Sequence, residues 1–198
     1  MNLIFQYIKD MIPYCLIGAV IYVIIMVKYH RGNNTKIELG RELIILLFIT
    51  YCAGLVSQTI IPRWDIGIDS GNGKPYFDVY WNNELASINI IPFKTIFVQF
   101  AGNNNVVGQS DVHSVSLLNL LANLFLFSPL GLFLPMLWHK LRNIKYIVGV
   151  GVIISTCIEV IQLFVGRSSD IDDVILNTLG VVIGFIFYKF LATLRRKQ

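Results

Sequence analysis

Charged side chains are scarce in this chain. Asp, Glu, Lys and Arg make up 14% of its 198 residues, where a soluble domain carries about 25%. So little charge excludes an ordinary water-exposed globule of this length. Cysteine is sparse as well. Cys15, Cys52 and Cys157 each sit inside an apolar run, with no Cys-x-x-Cys and no His pair at ligand spacing. That argues against a disulfide framework or a zinc site, and leaves the thiols as small buried hydrophobes. No nucleophile motif, Gly-rich phosphate loop or internal repeat is present, and nothing in the sequence calls for a metal or cofactor.

Hydrocarbon is what the chain has in quantity. Hydrophobic residues make up 55% of it, and its mean hydropathy is +0.65. A spanning helix needs about 20 mostly apolar residues. Five runs qualify: 13–27 (which can extend back through Leu3, Ile4 and Phe5), 43–61, 117–138, 144–165 and 171–194. The first has no basic segment before its apolar core and no small-x-small cleavage site, so it reads as an uncleaved span. The expected fold is all-α: a polytopic membrane helix bundle of about five transmembrane helices, forming one integral membrane domain over 1–198.

Basic residues report orientation. Lys28, Arg31, Lys36 and Arg41 follow the first run. Lys140, Arg142 and Lys145 lie between the third and fourth, and Lys189, Arg195, Arg196 and Lys197 sit at the end. These eleven of sixteen basic residues belong on the cytoplasmic side. The N-terminus is then outside and the C-terminus cytoplasmic, with loop 62–116 and turn 166–170 facing outward. The net charge of +4 is therefore a topology signal, helped by anionic inner-leaflet lipid, and does not indicate nucleic acid.

The outer loop is too long for a simple connection. Residues 63–75 are rich in turn formers. Asp65, Asp69 and Asn72 offer oxygen ligands, but their spacing and the missing distal Glu do not fit an EF-hand, so an ordinary turn is the better reading. Tyr76, Phe77, Tyr80 and Trp81 form an interfacial aromatic cluster. Residues 88–100 are apolar but too short to span, and read as an interfacial or re-entrant segment. Residues 102–111, with three consecutive asparagines from Asn103, read as an exposed loop.

A dense polar stretch lies between the last two apolar runs. Charge in hydrocarbon costs about 2.5–3.5 kcal/mol per residue on insertion scales, and so is normally kept for function or a specific partner. Helical spacing sorts the polar residues by face. Asp173, Asn177, Gly180 and Gly184 form one stripe; Gly151, Ser155, Glu159 and Gln162 form another; Asn119 and Asn123 lie one turn apart on the third run. At 1.5 Å per residue, Glu159, Asn123 and Asn177 all lie about 9–11 Å below the outer ends of their helices. The expectation is a water-accessible outward pocket, with Glu159 at its floor and Arg167, Asp170 and Asp173 at its mouth. Candidate ligand-binding residues are Asn123, Glu159, Gln162, Arg167, Asp170, Asp173 and Asn177.

Each candidate has a plainer reading. Asn119, Asn123, Ser155 and Gln162 suit interhelical hydrogen-bond glue, worth about 0.6 kcal/mol on average. Arg167 suits a turn-fixing partner of Asp170 or Asp173, and one of those two suits a helix cap beside the helix dipole. Asp172 is expected to face water, and Gly180 and Gly184 are expected to pack helices. Glu159 stands apart, because a carboxylate so deep must be paired, solvated or protonated.

The pattern Glu159-x-x-Gln162, Arg167-x-x-Asp170-x-x-Asp173, Asn177-x-x-Gly180-x-x-x-Gly184 resembles the VanZ-like family of bacterial membrane proteins. Asn89-x-x-Pro92-Phe93 and Asn123 with Pro129 and Gly131 resemble its earlier signature. The resemblance implies a multi-pass protein of the bacterial cell membrane, associated with low-level teicoplanin resistance, and brings no proven catalytic residue. Two functions follow from it. The first is a resistance factor whose outward pocket binds the lipoglycopeptide or a lipid-linked cell-wall precursor. Arg167 would meet an anionic group, and Tyr76, Tyr80, Trp81 and Phe93 would meet membrane lipid or the drug's acyl tail. The alternative is a membrane-embedded enzyme modifying a lipid or lipid-linked intermediate, with Glu159, Asp170 and Asp173 as candidate catalytic groups.

Overall fold

The computed structural model describes residues 3–69, 71, 73–80, 88–101 and 109–196. Its elements in chain order are α1 (Leu3–Asn33), α2 (Leu39–Thr59), β1 (Arg63–Ile68), β2 (Pro75–Tyr80), β3 (Ile88–Asn89), α3 (Lys94–Ala101), α4 (Gln109–Leu137), a 3-10 turn His139–Arg142, α5 (Ile144–Phe164), β4 (Ser169–Asp170) and α6 (Ile171–Arg196). Among the described residues five helices are long and apolar enough to cross a membrane: α1, α2, the apolar part of α4, α5 and α6. Many of their large apolar side chains point outward. Leu16 is 61% exposed, Ile153 63% and Phe164 85%, as lipid-facing positions should be.

The helix ends follow local sequence. Asn34 stops α1 by entering the left-handed region (φ 51°), a conformation Asn tolerates as a helix terminator. α5 ends in a Schellman arrangement. Gly166 takes φ 78°, its N–H donates to the Leu163 carbonyl at 3.2 Å, and the Arg167 N–H donates to the Gln162 carbonyl at 2.9 Å. α4 begins well before residue 117, because no Pro or Gly interrupts 109–128 and the helical ladder continues into polar sequence. Residues 109–111 of the expected loop 102–111 are therefore helical. The asparagine run from Asn103 lies outside the described residues, as do Asn72 and Trp81.

The turn-rich stretch after α2 is an antiparallel hairpin of β1 and β2. Gly67 and Tyr76 are register partners, and the Tyr76 ring lies where a Gly67 side chain would be, a way of covering a strand glycine. The Asp69 carboxylate accepts from the Gly71 N–H at 2.9 Å, so it serves the turn. Trp64 Nε1 donates to the Tyr14 hydroxyl at 2.6 Å, which ties the hairpin to α1.

The centre of the bundle is the contact between α4 and α6. It has no water-driven apolar attraction behind it, so it depends on close packing. A Cβ on Gly131 would collide with the Val181 carbonyl, one on Gly180 with that of Leu124, and one on Gly184 with that of Ser128. Backbone meets backbone at three places. Phe127, Leu130, Val181 and Phe185 close round the contact, with Ile147 and Ile158 from α5. Pro129 has no N–H for the Phe125 carbonyl; the Ser128 hydroxyl donates to it instead, at 3.0 Å. α1 packs on α2 alone among the helices with extensive contacts. α2 in turn leans on α4 through the Tyr51 hydroxyl, which donates to the Leu126 carbonyl at 2.7 Å.

Gly184→Ala should force α4 and α6 apart and cost about 1–3 kcal/mol, the usual range for overpacking. Thermal unfolding in detergent checks this, with Gly149→Ala as a control, because a Cβ there meets nothing within 4 Å.

Candidate functional site

One end of the bundle collects the C-termini of α2 and α5, the N-terminus of α6, and the level of Asn123 on α4. Here Asp170 is the N-cap of α6. One of its carboxylate oxygens accepts from the Asp172 N–H at 2.9 Å, the usual N-cap geometry. The same oxygen accepts from Asn89 Nδ2 at 2.9 Å, and the other takes the Thr95 hydroxyl. Asn89 Nδ2 also donates to Thr95 Oγ1 at 3.0 Å. β3 pairs in parallel with β4, Asn89 opposite Asp170.

Asp172 corrects the sequence reading. It does not face water; it is fully buried. Its carboxylate accepts from the backbone N–H groups of Phe93, of Thr95 at 2.7 Å and of Ile96 at 3.0 Å. These are orphan donors of the first turn of α3. A side chain distant in sequence thus caps α3, where helix polarity favours negative charge. The reason sequence misled is that Asp172 sits beside a charged, water-like turn; its partners lie some eighty residues away. The Asn89-x-x-Pro92-Phe93 pattern was the available signal. Phe93 adopts φ 64°, a left-handed conformation that costs a bulky residue about 1–2 kcal/mol, and the Asp172 bond to its N–H helps hold it there.

The remaining candidates fall into two neighbouring groups. In the first, Glu159 of α5 is buried and its Oε2 accepts from the Asp170 N–H at 2.9 Å. Asn123 Nδ2 donates to Asp173 Oδ1 at 2.7 Å. Asn177 Nδ2 donates to Ser155 Oγ at 2.9 Å, which joins the two stripes one turn deeper. Asp173 lies within the electrostatic reach of Glu159, Asp170 and Asp172. Glu159 and Asn177 are buried, while Asp170 and Asp173 are half-buried. Among the described residues, Asn177 Oδ1 and Thr178 Oγ1 are buried with no hydrogen-bond partner.

In the second group, Gln162 and Arg167 serve α2. Gln162 Nε2 donates to the Thr59 carbonyl at 2.8 Å. Arg167 Nη1 donates to the same carbonyl at 3.0 Å and to that of Gln58 at 3.2 Å. Last-turn carbonyls lack intrahelical partners, and a cation there suits the helix dipole. Arg167 was expected to meet an anionic group; its contacts include these two carbonyls, and its charge also lies within electrostatic reach of Glu159. Asn119 lies on α4, and its side chain is outside the described residues. Among the described residues no three His, Cys, Asp or Glu side chains are placed to hold a metal ion.

Residues 48–192 match the family model described as VanZ/LLP1, so the chain belongs to that family. The match covers more than half of the chain and every residue of both groups, while α1 and the start of α2 precede it. No curated protein and no solved structure matches.

Asp172→Ala should leave three backbone donors buried and unpaired, at about 1–3 kcal/mol each before relaxation. The expected result is loss of protection of 93–96 in hydrogen exchange, with α4–α6 protection retained. Arg167→Met should release the end of α2, at about 1–3 kcal/mol, read as a lower unfolding temperature.

Proposed function

We propose that this VanZ/LLP1 family member lowers bacterial susceptibility to teicoplanin-type lipoglycopeptides. It does so at the outer face of the cell membrane, by binding the drug or a lipid-linked cell-wall component at the polar site. The observation that carries the reading is the burial gradient at one end of the bundle. Glu159 and Asn177 form a buried floor, and Asp170 and Asp173 form a half-buried acidic rim above it. Asp170 is already used as the cap of α6, but Asp173 has Asn123 as its hydrogen-bond donor, and keeping such an acidic residue beside hydrocarbon is costly unless it has a use.

Orientation supports the outer face. Ten of the eleven basic residues that report orientation are among the described residues, and they lie at or near the other ends of the helices. On the positive-inside rule that end is cytoplasmic, which places the N-terminus and the site outside and the C-terminus inside. The rim is built of acceptors, so it suits ammonium, amide or hydroxyl donors of a ligand. The unpartnered Asn177 Oδ1 adds one more acceptor at the floor. Phe93 is 61% exposed beside the rim and offers an apolar surface for lipid or an acyl tail. A lipidated glycopeptide anchors in the outer leaflet and reaches this level; vancomycin has no such anchor.

The test is teicoplanin and vancomycin susceptibility in a Gram-positive host, with empty vector, wild type, Glu159→Gln and Asp173→Asn at matched membrane abundance. The wild type should raise the teicoplanin inhibitory concentration severalfold and leave vancomycin unchanged, and each isostere should keep part of the effect. Complete loss with either isostere, in folded protein, would point to catalysis on a lipid-linked intermediate instead. No protection by the wild type would sink the resistance role.

A further inference from the structure

A second feature lies on the side of the bundle. Between α2, α4 and α5 runs a crevice of about 320 Å3. Phe48, Cys52 and Ile60 of α2 form one wall, Ile154 and Cys157 of α5 the other, and Leu134 of α4 part of its base; every lining residue is apolar or a thiol. The cause is the way α2 is held. At the site end Gln162 and Arg167 bind its last carbonyls. Further along, it rests on α4, through Tyr51 on the Leu126 carbonyl and Phe48 against Phe133 at 6.0 Å between ring centroids. α2 therefore meets α5 at the clasp and stands off from it below.

The setting names the occupant. All lining residues but Ile60, which caps the end of α2, belong to spanning helices, and the lip is continuous with the lipid-facing surface: Val56 is 42% exposed and Ile153 63%. The crevice therefore opens into hydrocarbon, where a gap leaves its walls without dispersion partners and polar ligands have nothing to bond. From Phe48 to Ile60 it extends about 18 Å at the helical rise, against about 15 Å for half of a bilayer's hydrocarbon core. That is the length of one chain from one leaflet. Its upper end, at Ile60, follows the Thr59 carbonyl that Gln162 and Arg167 bind, so a headgroup there would stand at the polar layer. We propose that this crevice is a binding site for one acyl chain of a membrane phospholipid, from the leaflet on the polar-site side. The proposal does not depend on the function proposed above.

Two measurements test it. In the first, the full chain is reconstituted with a phospholipid carrying a photoactivatable diazirine on its acyl chain, and adducts are mapped by peptide mass spectrometry. Adducts should be enriched severalfold at 52–60 and 153–158 over equally exposed faces of α1 and α6. Labelling that is even across all lipid-facing helices would overturn the proposal. In the second, native mass spectrometry counts lipids retained after detergent extraction. Wild type and Ile186→Trp, a lipid-facing control on α6, should keep one lipid per chain. Ile154→Trp and Cys157→Trp, which fill the crevice from different depths, should lose it severalfold. Equal retention in all four, or a lipid-free dimer, would overturn it. The first measurement uses the unsubstituted chain and holds whether or not the tryptophan variants fold.

Discussion

The Asp172 carboxylate is the contact on which the polar end of this protein depends. It is fully buried and holds three backbone N–H groups at the start of α3. Hydrocarbon supplies no hydrogen bonds, so backbone groups left over by helix and sheet must find partners in side chains. Residues 88–89 pair with β4, and the N–H groups that start α3 find theirs in Asp172, while Asp170, two positions earlier on one turn, takes the side chains of Asn89 and Thr95. The same turn caps α6 and supplies the N–H that meets Glu159. One short acidic stretch thus fixes α3, starts α6 and anchors the deep carboxylate of α5.

The middle of the bundle obeys the complementary rule. Where no polar group has to be served, attraction comes only from contact, and contact is closest where side chains are smallest. Gly131, Gly180 and Gly184 let α4 and α6 touch backbone to backbone. α5 joins them through Ser155 on Asn177 and through Gly151 against Val181. α2 makes no such glycine contact with them. It is held by carbonyls that accept from Gln162 and Arg167 and by one tyrosine hydroxyl, which leaves room for the lateral crevice. α1 is carried by α2 through Gly18 and Gly54.

These two modes of packing separate what a substitution does from where it sits. Gln162 and Arg167 belong to the conspicuous polar motif, yet their bonds are structural ones to α2. Glu159, Asp173 and Asn177 belong to the same motif and converge with Asn123 in a layer graded from buried to half-buried. Membership of the VanZ/LLP1 family attaches to both groups alike. Geometry shows which of these side chains bond to α2 and which join α4, α5 and α6; a motif does not.

Much was legible in the sequence, because a bilayer imposes one-dimensional rules. Apolar run length set the five spans, and helical period placed Asp173 with Asn177 and Glu159 with Ser155 on facing stripes. The glycine spacing announced a close helix contact, but not that its partner is α4. Other features needed partners far apart in the chain. Asp172 looked like a surface residue until 93–96 folded over it, and nothing near Arg167 in the chain announced the α2 carbonyls that it binds. The hairpin of β1 and β2 was hidden because its glycines read as turns, with no sign that Tyr76 would cover Gly67. The sequence by itself determined the helices and their polar faces, since hydrocarbon thickness and the 3.6-residue period act locally. Only the tertiary structure decided which polar groups bond to one another and where a gap remains between helices, since both depend on distances between segments that no local rule relates.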